Sequence, residues 1–216
     1  MSPSARTGRL PAARRRQQLL GVALELFSQQ GYHDTSMEQI ADEAGVTKPV
    51  LYQHFSSKSD LYLELLQIVG RDLLEEIAAG ATAATSPHLR VLAGFRAYFS
   101  FVGRRTSAFR LLFGSDVRQS DDFAAAAHSV EDSIAATIST FILAEVDDEH
   151  RLLLGYAIVG LAEVAGRQWV QRSAHAGGTL GPLDPTAGEV LATRLADLVW
   201  AGLRGLRGEG HEDGTP

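Results

Sequence analysis

Residues 44–61 read AGVTKPVLYQHFSSKSDL, and this stretch decides the fold of the first part of the chain. Gly45 lies between two short helical segments, and glycine readily adopts the positive φ that a tight turn between helices requires. Val46 follows and fills the angle between the two helices, while Thr47 and Pro49 are typical of a helix start. The stretch therefore predicts a helix-turn-helix.

The second helix of this pair combines a buried face with an outward face. Leu51 and Phe55 are spaced to point into the core. On the outward face, Lys48 can bind guanine O6 and N7, Gln53 can pair with adenine, and Val50 can contact a thymine methyl group. Three further side chains can reach phosphates, which position a protein without reading sequence: Tyr52, His54 and Lys58. The pattern by itself also fits any other compact helical hairpin that contains a glycine.

Helical periodicity continues on both sides of this stretch. Upstream, an apolar stripe ends at Gly31, and Thr35 with Glu38 has the spacing of a capping box that opens the next helix. The stripe consists of Leu19, Val22, Ala23, Leu26 and Phe27. Downstream, residues 78–86 are small and polar and predict a loop, as do the Gly- and Pro-rich residues 177–184. No convincing alternating strand pattern is present, so we predict an all-α fold of about nine helices.

The composition is that of an ordinary globular chain with an uneven distribution of charge. Of 216 residues, 45% are hydrophobic and 21% charged, which excludes a wholly disordered or fibrous chain. The formal net charge is −6, yet residues 1–60 carry net +1 and residues 61–216 carry net −7. Residues 1–16 contain five arginines and no acid. Such a basic arm indicates contact with a polyanion at one end only, unless the arm is simply a solvated tail.

Several classes of function are disfavoured by what the sequence lacks. The absence of cysteine excludes a disulfide framework, a thiolate zinc site and a cysteine nucleophile, and it fits a reducing, cytoplasmic compartment. No apolar run approaches the roughly 18 residues that span a bilayer, and the N-terminal pattern does not fit a signal peptide. Gly-rich phosphate loops and the common hydrolase patterns are absent. We therefore expect neither an enzyme nor a metal site nor a cofactor.

Residues 19–61 combine these features into one string of distinctive positions. They are Leu20, Ala23, Leu26, Phe27, Gly31, Tyr32, Thr35, Ser36, Ile40, Ala41, the run 44–47, the run 51–55, Lys58 and Leu61. This string resembles the N-terminal DNA-binding domain of the TetR family of transcriptional regulators. The resemblance covers about the first 65 residues, and the run 44–61 is highly specific to it.

The resemblance implies an organisation for the whole chain. It implies a three-helix DNA-binding head followed by a helical body that binds a ligand and forms dimers. On this chain we expect a flexible basic arm over residues 1–13 and a DNA-binding domain over 14–58. A ligand-binding and dimerisation domain is expected over 59–207 and a disordered tail over 208–216.

The resemblance also implies DNA contacts and a mode of action. The base-facing positions are Thr47, Lys48, Pro49, Val50 and Gln53. The phosphate-facing positions are Ser36, Tyr52, His54 and Lys58. Members of the family mostly repress promoters as homodimers on pseudo-palindromic operators and release DNA when a small molecule binds the body. The alternative is a ligand-independent, DNA-organising protein that uses the same head.

The second half of the chain offers candidates for a ligand pocket and a dimer surface. Its aromatic side chains suit a largely apolar pocket for a lipophilic or acyl-like effector. The pocket candidates are Phe95, Arg96, Tyr98, Phe99, Phe113, His128, Asp132 and Trp169, of which Arg96, His128 and Asp132 are the polar anchors. The last two long helices can pair across a homodimer as a four-helix bundle. The dimer candidates are Tyr156, Val159, Val164, Leu195, Val199 and Trp200. Ordinary core packing is the alternative for all of these side chains.

Overall fold

The chain folds into helices joined by short connections. The structure, a computed structural model, describes residues 11–114, 121–177 and 183–206. Over these ranges it contains nine α-helices and no β-strand, so the predicted all-α fold is confirmed. The helices are α1 (Ala12–Asp34), α2 (Met37–Glu43), α3 (Lys48–Tyr52), α4 (Lys58–Ala83), α5 (Pro87–Arg104), α6 (Thr106–Phe113), α7 (Asp121–Phe141), α8 (Asp148–Gly177) and α9 (Pro185–Gly205). None of these described helices is both long enough and apolar enough to cross a bilayer.

The helices form two compact units that divide between Leu65 and Leu66, within α4. We call the described residues of the first unit the head and those of the second unit the body. The head therefore includes the first eight residues of α4, residues 58–65. Helix α1 begins at Ala12, so the end of the predicted arm is helical. Residues 1–10 of that arm and the predicted tail, 208–216, lie outside the described residues.

The start of α2 differs by one residue from the capping box predicted at Thr35 and Glu38. Ser36 is the N-cap: its hydroxyl accepts from the Gln39 N–H at 3.1 Å, and the Gln39 side chain accepts from the Ser36 N–H at 2.7 Å. Thr35 is instead only 1% exposed and donates to the carbonyl oxygen of Gly31 at 2.7 Å. Both threonine and serine cap helices, so burial of Thr35 decides which of them does so here.

The turn between α2 and α3 forms as the sequence predicts. Gly45 has a φ of 65°, in the region that glycine adopts without a steric penalty. The Val46 N–H then donates to the Ala41 carbonyl oxygen at 2.9 Å, which folds the chain back at the end of α2. Leu51 of α3 is fully buried and Phe55 is 3% exposed, so these side chains hold α3 against the rest of the head. The result is a helix-turn-helix.

The body is built from two helix pairs, α5 with α9 and α7 with α8. Helices α7 and α8 approach closely at Gly155, where a Cβ atom would lie 2.5 Å from the carbonyl oxygen of Ala135. Helix α4 continues to Ala83, through much of the region predicted as a loop from residue 78. It does so because Ile77 and Ala81 extend its buried stripe.

We expect Gly155→Ala to destabilise the body by about 1–3 kcal/mol, because the added methyl group meets backbone that cannot move without separating α7 from α8. Gly160→Ala is the matched control on the same helix, since a Cβ there meets nothing within 4 Å. The control should be neutral or more stable by up to about 1 kcal/mol, because alanine favours helix over glycine. Urea unfolding of both variants measures the difference, and equal stabilities would contradict the close approach.

Candidate functional site

Helix α3 buries one side and exposes the other. Leu51 is its buried residue, whereas Tyr52 is 47% exposed. The side chains predicted to face bases lie on this helix and at its two caps. They are Thr47, Lys48, Pro49, Val50 and Gln53. All are exposed except Val50, which is half-buried. The structure thus brings the predicted base-facing residues together on one short helix, next to the exposed Tyr52 and the half-buried His54.

Two polar groups near the start of α2 remain available to a polyanion. The hydroxyl of Ser36 accepts a capping hydrogen bond, and a hydroxyl that accepts can still donate its own hydrogen. Lys48 Nζ lies 3.4 Å from a carboxylate oxygen of Glu38, and both side chains are exposed. Exposed ion pairs of this kind contribute little, so the ammonium group of Lys48 can exchange Glu38 for another partner.

Lys58, predicted to face phosphate, directs its ammonium group into the head. Nζ donates to the carbonyl oxygens of Tyr32 at 2.7 Å and Thr35 at 2.8 Å, and it lies 4.3 Å from the centroid of the Tyr32 ring. A longer contact of 3.4 Å reaches the carbonyl oxygen of His33. Burial lowers the pKa of Lys58, and the nearby Asp34 carboxylate partly offsets this effect. Because its N–H groups face carbonyl oxygens, the structure gives Lys58 the role of holding the connection between α1 and α2 onto α4.

We expect Lys58→Met to lower the stability of the head by about 1–3 kcal/mol, because buried carbonyl oxygens lose a charged donor. The salt dependence of DNA binding should stay the same, whereas loss of a phosphate contact would reduce the slope by about 1. Thermal unfolding and a salt titration of DNA affinity measure the two quantities. Lys48→Met, which removes an exposed ammonium group, is the control for the stability measurement. A Lys58→Met chain of normal stability with a reduced slope would contradict this role.

The arginines at the start of α1 divide between structural and exposed positions. Arg16 forms a bidentate ion pair with Glu64, and its Cζ lies 4.7 Å from the centroid of the Phe55 ring. The hydrogen bond that Arg16 donates to the Glu64 carboxylate raises the pKa of Arg16, and burial partly opposes this effect. Arg14 is exposed, and Arg15 donates to the Gln18 side chain at 2.6 Å. Arg16 therefore holds α1 onto α4.

The body contains an apolar cavity lined by residues from α4 to α9. Its lining atoms enclose about 760 Å³, opening included. The larger lining side chains are Phe95, Phe113, Tyr98, Ile134, Ile138 and Phe141, and Gly94 leaves part of the wall open.

The structure separates the predicted pocket residues into two groups. Phe95, Tyr98 and Phe113 line the cavity, whereas Phe99 and Trp169 pack against each other outside it, with ring centroids 6.0 Å apart. The three predicted anchors lie on the surface. Arg96 pairs with Glu189, His128 contacts the Ala124 carbonyl oxygen at 2.7 Å, and Asp132 accepts from the Tyr156 hydroxyl at 2.8 Å. Within the described ranges, no group of three or more His, Asp or Glu side chains can hold a metal ion.

Two polar atoms of the cavity wall are buried and have no hydrogen-bond partner among the described residues: Arg90 Nε and the hydroxyl of Tyr98. Burial raises the pKa of Tyr98 well above its ordinary value, and the Glu163 carboxylate adds to the effect while Arg167 opposes it. The hydroxyl is therefore neutral at physiological pH. Sequence reasoning missed Arg90, although its spacing of eight residues from Tyr98 places both on one face of α5.

Helices α8 and α9 expose an apolar surface, part of which was predicted. Tyr156 is 41% exposed and Val164 is 51% exposed. The other predicted dimer residues are less available: Leu195 and Trp200 are half-buried, Val199 is buried, and Val159 lines the cavity. The other exposed apolar residues of these two helices are Leu152, Leu153, Leu161, Val190 and Leu198. Two small residues of α8, Gly155 and Gly166, pack against Ala135 and Tyr98 within the body.

The helix-turn-helix head joined to a helical body defines the class of a DNA-binding transcriptional regulator. Residues 19–65 match the family described as bacterial regulatory proteins, tetR family. The chain is also 36% identical over 169 residues to the HTH-type transcriptional activator FasR of Mycolicibacterium smegmatis, a match that covers 76% of each chain. The chain belongs to the TetR family, as its sequence predicts, and it is a regulator rather than an enzyme.

Solved structures show the same architecture. A TetR-like transcriptional regulator from Rhodococcus sp. RHA1 is 28% identical with a TM-score of 0.70, covering 91% of this chain and all of the other. The transcriptional regulator FadR from Bacillus subtilis, solved in complex with stearoyl-CoA, has a TM-score of 0.71 at 16% identity. That match covers 86% of this chain and 98% of FadR. The second likeness is one of fold.

Proposed function

We propose that this chain binds an operator as a homodimer and releases it when an acyl-chain ligand occupies the body cavity. The single observation that carries the ligand class is the cavity with a wall made almost entirely of carbon. Such a wall suits a hydrocarbon chain, and apolar walls with few polar groups are typical of ligand sites. The complex of the similarly folded FadR with stearoyl-CoA supports the same class.

The DNA part of the proposal rests on the exposed face of α3. Lys48, Val50 and Gln53 read base edges, together with Thr47 and Pro49. Phosphates are contacted by Ser36, Tyr52 and His54. Two such helices in a homodimer enter major grooves about one helical turn, or a near multiple, apart, so the operator is pseudo-palindromic. Because the operator lies on the chromosome, the protein also acts in the cytoplasm in this proposal.

Lys48→Ala is expected to cost roughly 1–3 kcal/mol in operator binding and to relax specificity at one base pair, as loss of a base contact does. Fluorescence anisotropy against operators changed at single positions measures both effects. Arg14→Ala is the control, because Arg14 is an exposed cation outside α3. A uniform loss across all operator variants would show that Lys48 contacts phosphate rather than a base.

Dimerisation is proposed to use the exposed surface of α8 and α9. Tyr156 and Val164 are accessible there, and Leu152, Leu153 and Leu198 add to the same apolar surface. Two such helix pairs related by a two-fold axis form a four-helix bundle. The buried Val199 and the cavity residue Val159 stay within the monomer in this arrangement.

The sign of regulation follows from where the operator lies. Release of DNA by a ligand relieves repression if the operator overlaps the promoter, and it ends activation if the bound protein recruits the polymerase. The family resemblance favours repression, whereas the relative FasR is named an activator. A reporter fused to the native promoter, with and without the gene for this chain, decides between the two.

The test of the whole proposal is fluorescence anisotropy against DNA flanking the gene, at two salt concentrations and with random DNA as competitor. We expect tight, salt-sensitive binding that survives the competitor and weakens on adding stearoyl-CoA but not CoA. Tight operator binding that no acyl probe weakens would instead support a ligand-independent, DNA-organising protein. Weak binding equal for all sequences would contradict the operator.

A further inference from the structure

We propose that Arg90 is the head-group contact of the body cavity, and that its Nε–H donates to a carbonyl oxygen at one end of the acyl ligand. The hydrocarbon chain then runs along α5 towards Tyr98. This inference rests on the proposed ligand cavity. It narrows the ligand from any lipophilic molecule to one with an acceptor oxygen at the Arg90 end, either an acyl thioester or a free acid.

The first support is the unmatched donor of Arg90. Its Nε is buried and has no hydrogen-bond partner among the described residues, although the residue as a whole is only half-buried. Arg90 thus lines the cavity and keeps its Nε–H on the buried part of the side chain. The Phe141 ring, whose centroid lies 5.7 Å from Cζ, lies against the guanidinium group. A buried donor without an acceptor costs stability, and a ligand oxygen would remove that cost.

The position of Arg90 in α5 is the second support. It lies in the first turn of the helix, where the helix dipole disfavours a cation. The helix is capped by the neutral hydroxyl of Ser86, which accepts a hydrogen bond from the Leu89 N–H at 3.3 Å. No acidic residue lies in the first turn of α5. No group in this turn offsets the positive charge. A ligand oxygen that carries a full or partial negative charge would offset the positive charge of Arg90.

The remaining wall decides which ligands are favoured. Among the described residues that line the cavity, Arg90 is the one charged side chain and Tyr98 is the other side chain with a buried, unmatched polar atom. None of these described lining residues carries a carboxylate. A cationic amphiphile would place a second positive charge beside Arg90 with no counter-charge. An acyl group places a carbonyl oxygen there, and its methylene groups contact the apolar remainder of the wall.

The spacing along α5 sets the direction of the chain. Arg90, Gly94 and Tyr98 follow one another at intervals of four residues on one helix face, so Arg90 and Tyr98 lie about 12 Å apart along the axis. The Tyr98 end is closed by α8, because a Cβ at Gly166 would lie 2.9 Å from the Tyr98 hydroxyl. A hydrocarbon chain whose carbonyl group lies at Arg90 therefore runs first along α5 towards Tyr98.

The test uses two probes that differ at the carbonyl group: stearoyl-CoA and S-octadecyl-CoA, a thioether with CH₂ in place of C=O. Isothermal titration calorimetry on the full chain compares wild type, Arg90→Met and Arg96→Met. Arg96 is the matched control, an arginine of the same helix that pairs with Glu189 on the surface. We expect wild type and Arg96→Met to prefer stearoyl-CoA by about tenfold, the effect of one charge-assisted hydrogen bond, and Arg90→Met to bind both probes equally.

The remaining outcomes either overturn the proposal or identify the source of the oxygen. If Arg90→Met keeps the tenfold preference while its thermal unfolding matches wild type, Arg90 does not contact the carbonyl group. Dodecanoate and dodecanol form the second arm: a preference for dodecanoate that Arg90→Met abolishes identifies a free acid as the source of the oxygen. If the wild-type chain binds none of the four probes, the proposed acyl ligand itself is wrong, whatever Arg90 does.

Discussion

A Gly94→Leu chain is expected to bind operator DNA like wild type and to lose its response to stearoyl-CoA. Gly94 lines the cavity, and a Cβ there meets nothing within 4 Å, so a leucine side chain enters the open space that the ligand would fill. The substitution should not harm folding, because leucine favours helix over glycine by about 1 kcal/mol. The variant therefore separates occupation of the cavity from stability of the body.

Two readouts measure this expectation. A ligand at 100 times its Kd stabilises a protein by about 2.7 kcal/mol, so stearoyl-CoA should raise the unfolding temperature of wild type and leave that of Gly94→Leu unchanged. Anisotropy should then show operator release for wild type only. Gly21→Leu in α1 is the matched control, since it makes the same change at an exposed glycine with nothing within 4 Å. A Gly94→Leu chain that still responds would place the ligand elsewhere.

A Val164→Arg chain is expected to be a folded monomer whose operator affinity falls by roughly 10²-fold or more, because two heads linked in one dimer gain that much over a single head. Val164 is 51% exposed on α8, so arginine at this position costs the isolated body little. In a two-fold interface the substitution places two like charges in apolar surroundings, which is strongly unfavourable.

Analytical ultracentrifugation gives the oligomeric state, and circular dichroism checks that the helices remain. Leu89→Arg is the matched control, because Leu89 is an apolar residue 44% exposed on α5 rather than on α8 or α9. It should remain a dimer with normal operator binding. If Val164→Arg stays dimeric and Leu89→Arg does not, the interface lies on a different face of the body.

The head was largely predictable because local chemistry determines it. The positive φ of Gly45 and the buried Leu51 follow from turn chemistry and helical spacing in one short stretch. The errors arose where two residues of the same type compete. Thr35 and Ser36 can both cap a helix, and packing within the head assigned the cap to Ser36.

The body was predictable as helices but not as a site. His128 and Asp132 share a helix face, yet the spacing of four residues does not say whether that face points inward, and both side chains are exposed. Lys58 illustrates the same limit in the head, since its carbonyl partners Tyr32 and Thr35 are distant in sequence. Arg90 could have been recognised from its position on the Tyr98 face of α5, with no acid in its turn.

The central claim is that the cavity and the operator surface are coupled, and coupling is reciprocal. The most direct test is to measure the Kd of stearoyl-CoA for the full chain by calorimetry, alone and in the presence of saturating operator. The account predicts that operator weakens stearoyl-CoA binding by the same factor by which stearoyl-CoA weakens operator binding. An unchanged Kd for stearoyl-CoA on the operator-bound protein would contradict it.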